Sequence, residues 1–213
     1  FIYDNNKKSQ NFKKKLSKKF KNFSPSKSNC IIVFGGDGFM LKILKQYYKY
    51  NKPFYGVNCG TYGFLMNNSN IDSLERKIDK SKITVINSLS VNCLYGNGLK
   101  KNLLAINEIS IFRQSKQTAS LNISIGQKKI IKNLIGDGVL VSTPAGSTAY
   151  NMSAYGPILS LNSGKLAITP ISPFRPRRWK GKIISNKSQV KIKNLDSKKR
   201  PIAAVADNIE LRN

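Results

Sequence analysis

The stretch VFGGDGFML (residues 33–41) sets three glycines around one aspartate, between two apolar runs. Gly35, Gly36 and Gly38 let backbone come close to a ligand, and Asp37 puts a carboxylate into that bare turn. If the turn joins a strand to a helix, the helix N-terminus offers free N–H groups and partial positive charge to phosphate oxygens. Asp37 would then suit metal-assisted or base-assisted phosphoryl transfer. The competing reading is a plain turn with an N-capping aspartate, and a glycine motif this short also arises by chance.

Three further stretches carry similar signals. NCGTYGFL (residues 58–65) is a second glycine-rich turn at the end of an expected strand. In open α/β sheets ligands sit at the carboxyl ends of strands, so two such loops after neighbouring strands would line one crevice. NEIS begins at Asn107, and Asn107 with Glu108 could grip hydroxyls or amides; alone, the pair reads as a solvated strand end. GDGVLVSTPAGSTAYNMSAYGPIL (residues 136–159) is the most informative. It holds Asp137 in a second Gly-Asp-Gly turn, then crowds Ser142, Thr143, Ser147, Thr148 and Ser153 around Pro144 and Gly146. Hydroxyls and free N–H groups in such a loop suit a ligand with sugar and phosphate groups, and Tyr150 could stack on a base. A purely structural loop this long and polar is unusual.

Elimination narrows the chemistry. The chain of 213 residues has no histidine, which removes histidine bases and Ser-His-Asp or Cys-His arrangements. Among only 10 acidic residues, Asp37, Glu108 and Asp137 alone sit in motif contexts. Cys30, Cys59 and Cys93 are widely spaced and form no CxxC pair, as expected of reduced thiols. The net charge of +27 admits a nucleic-acid binder, but the lysines are spread along the whole chain. A lysine-rich surface that helps hold anionic small molecules is the simpler account, since charge bears on partners without naming one. No apolar run reaches the length of a membrane span, and FIYDNNKKSQ lacks the apolar stretch of a secretory signal. A cytoplasmic setting with no membrane and no nucleic-acid partner is expected.

The elements that must position these residues fall into two groups. Phe12, Leu16 and Phe20 recur at spacing four, the apolar stripe of a basic helix that covers a sheet. CIIVF reads as a buried parallel strand, FMLKILKQYYKY as a helix with Met40, Ile43, Leu44 and Tyr47 on one face, and KPFYGVNCG as the next strand. Strands alternating with helices predict an α/β, Rossmann-like N-terminal domain with a parallel sheet. Beyond it the segments are short and β-rich, and Leu121, Ile123 and Ile125 alternate with polar residues. A mostly-β, sandwich-like C-terminal domain is expected. The division falls near residues 67–72, giving domains at 1–68 and 69–204, with the tail 205–213 a segment that could return to the first.

Taken in order, GGDG, NxGxxGFL, NE, DGxxVSTPxGSTAYxxS and GPI resemble the NAD kinases, and LAITPISPFRPRRW from Leu166 looks like that family's following segment. The resemblance covers about residues 30–179, and VSTPxGSTAY is its most specific part. It implies transfer of the γ-phosphoryl of ATP, or of polyphosphate, to the 2′-hydroxyl of the adenosine ribose of NAD, with Mg²⁺ or another divalent ion, in a homodimer or homotetramer. The substrate would lie between the two domains. By resemblance, Asp37 is the general base, with Gly36 and Gly38 on the phosphates. Asn107 and Glu108 anchor the dinucleotide, Asp137 contacts substrate, and Ala145 with Thr148, Ala149, Tyr150, Asn151, Met152 and Ser153 lies along it. The chain departs from the pattern at Phe39, where a threonine is usual, and at Ala145, where a hydroxyl is lost. Ile135 stands where many relatives carry a basic residue, and VADNIEL replaces a DGQ-like ending, which leaves Asp207 without an assigned role. A lipid or sugar-phosphate kinase would share GGDG but gives no reason for STPAGSTAY. A nucleic-acid binder would show basic motifs interleaved with aromatics.

Overall fold

The computed structural model describes residues 1–61 and 63–212. Tyr62, inside the second glycine-rich turn, and Asn213, at the end of the tail, lie outside the described residues. The chain divides into two compact units, Phe1–Ile83 and Thr84–Asn213.

In the first unit, β1 (Ile2–Tyr3) leads to α1 (Lys7–Leu16), β2 (Ile31–Gly35), α2 (Asp37–Tyr47), β3 (Phe54–Asn58) and α3 (Leu74–Asp79). The strands form a parallel sheet in the order β1-β2-β3. Successive side chains of β2 point to opposite faces, and this decides where the helices pack. Phe34 and Ile32 join Phe12, Leu16 and Phe20 under α1, whereas Ile31 and Val33 join Met40, Ile43, Leu44 and Tyr47 under α2. The expected apolar residues therefore cover the sheet, but α1 ends at Leu16, so Phe20 packs on this face from the turn beyond the helix and not from the helix itself. Asn6 caps α1, its side-chain oxygen accepting the Ser9 N–H at 2.9 Å, and Lys13, Lys14 and Lys15 sit in the last turn, where the helix dipole favours cations. Leu74 of α3 is buried in the same cluster as Leu16 and Phe34. The first compact unit runs on to Ile83.

The second unit opens with a hairpin of β4 (Leu89–Leu94) and β5 (Lys100–Ala105), followed by β6 (Glu108–Arg113), β7 (Ala119–Ile125), β8 (Lys128–Gly136) and β9 (Gly138–Ser142). A helical turn, α4 (Tyr150–Ser153), precedes β10 (Lys165–Ile171), β11 (Lys182–Ser185), β12 (Val190–Asn194), β13 (Ile202–Ala206) and β14 (Ile209–Leu211). Six strands form one sheet in the order β11-β10-β9-β6-β13-β14, and three form another in the order β12-β7-β8. Leu121, Ile123 and Leu134 from the smaller sheet share one apolar core with Ile109, Ile111, Val139, Val141 and Ile168 from the larger, as a sandwich requires. Toward the end of the chain, β13 pairs with β6, and β14 pairs with β13. Among the described residues, no helix is long and apolar enough to cross a membrane.

Candidate active site

In the first unit, the parallel register sets Gly35 against Asn58, so both glycine-rich loops leave from adjacent strand ends at the carboxyl edge of the sheet. Asp37 is the first residue of α2, behind the extended N-cap Gly36. The second loop is tied at its base: the Cys59 N–H donates to Gly35 O at 2.7 Å, the Asn58 N–H to Asn67 O at 2.8 Å, and the Asn67 N–H to Gly56 O at 2.8 Å. Its far end closes on the aspartate. Asp37 Oδ2 accepts the Phe64 N–H at 2.7 Å and Oδ1 accepts the Leu65 N–H at 3.1 Å. Two amides from one loop thus orient a half-buried carboxylate, and each oxygen keeps lone-pair capacity for a further donor. A plain N-cap would instead have turned inward to its own helix.

Gly35 is needed for packing, since a Cβ there would fall 2.6 Å from the Phe39 ring, but Gly36 and Gly38 are bare for no internal reason. A Cβ on Gly36 or Gly38 would meet no atom within 4 Å, and neither residue has a positive φ. Gly138 and Gly146, in the second unit, are the opposite case. A Cβ would fall 1.9 Å from the Ile111 carbonyl oxygen at Gly138 and 2.2 Å from the Asn107 carbonyl oxygen at Gly146. Those two glycines serve close backbone packing; Gly36 and Gly38 leave open space over the first turn of α2.

In the second unit, the turn before β6 is bound on every side. Asp207 Oδ2 accepts the Ile106 N–H at 2.8 Å, and Oδ1 accepts the N–H groups of Asn107 at 2.8 Å and Glu108 at 3.2 Å. Thr143 holds the other side, its N–H donating to Asn107 O at 2.9 Å and its hydroxyl to Ile106 O at 2.7 Å. Glu108 is 8% exposed, which corrects the reading of the Asn-Glu pair as a solvated strand end. The side-chain oxygen of Asn107 is buried and has no hydrogen-bond partner among the described residues, a costly state unless a ligand donor meets it.

The STPAGSTAY loop holds a further correction. Ser142, Thr143 and Ser147 were expected to present hydroxyls to a ligand, yet all three are buried. Ser147 Oγ donates to Pro144 O at 2.7 Å and accepts the Leu159 N–H at 3.0 Å. Asn151 is also fully buried; its amide donates to the Ser147 and Pro157 carbonyls, and its oxygen accepts the Thr169 hydroxyl at 2.7 Å. These groups build the frame of the loop. Thr148, Ala149 and Tyr150 are half-buried, whereas Met152 and Ser153 are exposed. Ala145 lines a cavity of about 290 Å³ with Pro144, Leu89, Leu166 and Lys187.

Asp137 occupies a corner rather than a tight turn, at the point where the chain passes from β8 in the smaller sheet to β9 in the larger. The Arg113 side chain donates to its carboxylate at 2.5 Å. Burial first, and then the carboxylates of Asp137 and Glu108, push the Tyr150 phenol above its ordinary range. The ring itself leans on Phe112, with centroids 5.8 Å apart. Sequence reasoning missed Arg113 and Phe112, which follow the Asn-Glu pair on β6, and left Asp207 unassigned. Strand alternation places Phe112 and Arg113, but nothing local ties them to residues 137 and 150.

Comparison with known proteins establishes the family. Residues 2–81 match the family model described as the ATP-NAD kinase N-terminal domain, and residues 106–212 that of the ATP-NAD kinase C-terminal domain. Among solved structures, yeast NADH kinase complexed with NADH aligns at a TM-score of 0.72 and 25% identity, over 87% of this chain and 54% of that one. An NAD kinase from Archaeoglobus fulgidus in complex with ATP aligns over 100% of this chain and 85% of its own, at a TM-score of 0.76 and 21% identity. The fold is that of the dinucleotide kinases. The NAD kinase of Caulobacter vibrioides is 43% identical over 95% of this chain and 78% of the relative, and that of Zymomonas mobilis subsp. mobilis is 45% identical over 96% and 80%. The chain belongs to the NAD kinase family and is an enzyme of that kind.

Proposed function

We propose that this chain transfers the γ-phosphoryl group of ATP to the 2′-hydroxyl of the adenosine ribose of NAD, with Asp37 as general base. The ribose oxygen attacks the γ-phosphorus, the bond from that phosphorus to the β–γ bridging oxygen breaks, ADP leaves, and the hydroxyl proton passes to the Asp37 carboxylate. The observation that carries this reading is the pair of amides from Phe64 and Leu65 on Asp37, beside two glycines whose faces are open. Amide donors hold the carboxylate in one orientation without consuming its capacity to accept a proton. Gly36, Gly38 and the N–H groups at the start of α2 suit phosphate oxygens.

Asn107 and Glu108 hold the dinucleotide, the Asn107 side-chain oxygen taking a donor from it. Asp137 and Tyr150 contact the same substrate, with Tyr150 stacking on a base, and Ala145, Thr148, Ala149, Met152 and Ser153 lie along it. Asn151 acts from behind, by holding that segment in place. Among the described residues there is no group of three or more His, Cys, Asp or Glu side chains that could hold a metal. This donor set fits Mg²⁺ carried in by the ATP phosphates, as is usual for that ion. When bound it neutralises charge on the transferring phosphoryl group. We also propose assembly as a dimer or tetramer.

The test is purified protein incubated with NAD, ATP and Mg²⁺, with NADP read through an NADP-dependent dehydrogenase. Steady NADP formation that requires both substrates is expected. ATP consumption without NADP would overturn the acceptor assignment.

A further inference from the structure

We propose that Asp207 is a positioning residue for the acceptor substrate, acting through the Asn107–Glu108 turn; this rests on the NAD kinase reading above. Asp207 lies in the two-residue connection between β13 and β14, 99 to 101 residues from the groups that it binds. Its two carboxylate oxygens accept three consecutive backbone N–H groups, from Ile106, Asn107 and Glu108. In return, its own N–H donates to the Glu108 carbonyl at 3.0 Å. Charge-assisted bonds of this kind are roughly twice as strong as neutral ones, and three converging on one carboxylate fix the turn in position and orientation.

The backbone shows the same commitment. Asp207 has a φ of 53°, the left-handed region that non-glycine residues seldom occupy and that aspartate tolerates better than most. Retaining aspartate where glycine would be relaxed points to the side chain as the reason. What the clamp serves follows from its far side. With the Asn107 N–H held by Asp207 and its carbonyl by Thr143, the residue has one direction left, and its buried side-chain oxygen is without a partner among the described residues. The clamp presents that oxygen, ready-oriented, to a donor on the substrate, which is how pre-organisation raises affinity.

Two variants test this. Asp207→Asn turns an NH₂ group toward backbone donors. Asp207→Gly removes the clamp while relaxing the left-handed backbone, which protects the fold. In both, KM for NAD is expected to rise about 10- to 100-fold, the factor associated with losing a charge-assisted hydrogen bond, while KM for ATP stays within about twofold and kcat falls less than KM rises. In an Asn107→Ala background, Asp207→Asn should have little additional effect on KM for NAD, because coupled residues are not additive. If either folded variant keeps the wild-type KM for NAD, or if the two substitutions are additive, the proposal is overturned. Wild-type protein that makes no NADP in the same assay would instead overturn the functional reading on which it rests.

Discussion

Asp37 accepts the backbone N–H of Phe64 at 2.7 Å across 27 positions of sequence. Few contacts do more to define this molecule, because one end is a carboxylate at a helix N-terminus and the other is main chain, which substitution at Phe64 does not remove. The bond also joins the two glycine-rich loops that the sequence presents separately.

Open glycines beside that carboxylate separate function from stability. Gly38 is in the first turn of α2 and exposed, with nothing within 4 Å of an added Cβ. Gly38→Ala should stabilise the protein by roughly 0.5–1 kcal/mol in chemical denaturation, the usual gain for alanine over glycine in a helix. The same variant should lose at least about tenfold in kcat/KM, as a methyl group blocks approach to the helix N-terminus. A variant that is both more stable and fully active would show that this turn lies away from the substrate.

Gly138 is expected to behave in the opposite way. Its added Cβ would lie 1.9 Å from the Ile111 carbonyl oxygen, between two paired strands. Gly138→Ala should cost about 1–3 kcal/mol or more, as overpacking does, with loss of folded protein preceding any specific effect on KM. Equilibrium unfolding in urea measures it directly.

Asn151 illustrates a motif residue that works as frame. It is fully buried, and its removal would strip the hydrogen-bond partner from the Thr169 hydroxyl and from two carbonyl groups. Asn151→Ala should lower stability by about 1–3 kcal/mol through those orphaned groups. Activity should fall roughly in step with the folded fraction. Unchanged stability with a raised KM for NAD would return Asn151 to direct substrate contact.

Alkaline pH offers a separate check on the first unit. Tyr3 stacks on Phe34 with centroids 4.8 Å apart, and burial pushes its phenol up to about 12 from 10. The folded state then holds this proton more tightly than the unfolded chain. The resulting stabilisation is complete below pH 10 and is lost as pH rises through the window toward 12. Tyr3→Phe, which cannot ionise, should lose less stability than wild type across that window. Parallel pH profiles for the two proteins would contradict the burial.

How much of this could be read in advance varies from residue to residue. Periodicity placed Met40, Ile43 and Tyr47 against the sheet, because helical spacing maps directly onto a face. The glycines and aspartate of GGDG stand out as a candidate site because composition there is so unusual. What escaped depends on contacts distant in sequence. The hydroxyls of Thr143 and Ser147 look free in a string of letters, and only the packed loop shows them spent on the carbonyls of Ile106 and Pro144. Asp207 met the same obstacle: its partners lie a hundred positions away, brought close by the pairing of β13 with β6. The packing of Leu74 against Leu16 and Phe34 is likewise a contact that local composition does not reveal.

The account stands or falls on the carboxylate of residue 37. Asp37→Asn keeps the size of the side chain and one acceptor oxygen but turns its NH₂ group toward the second loop amide, so folding is checked first by circular dichroism and thermal melting. Measured as the rate of NADP formation from NAD, ATP and Mg²⁺, that folded variant is expected to lose about 10²–10⁴-fold in kcat, the typical worth of a positioned base. Turnover within a few-fold of wild type would show that the base lies elsewhere.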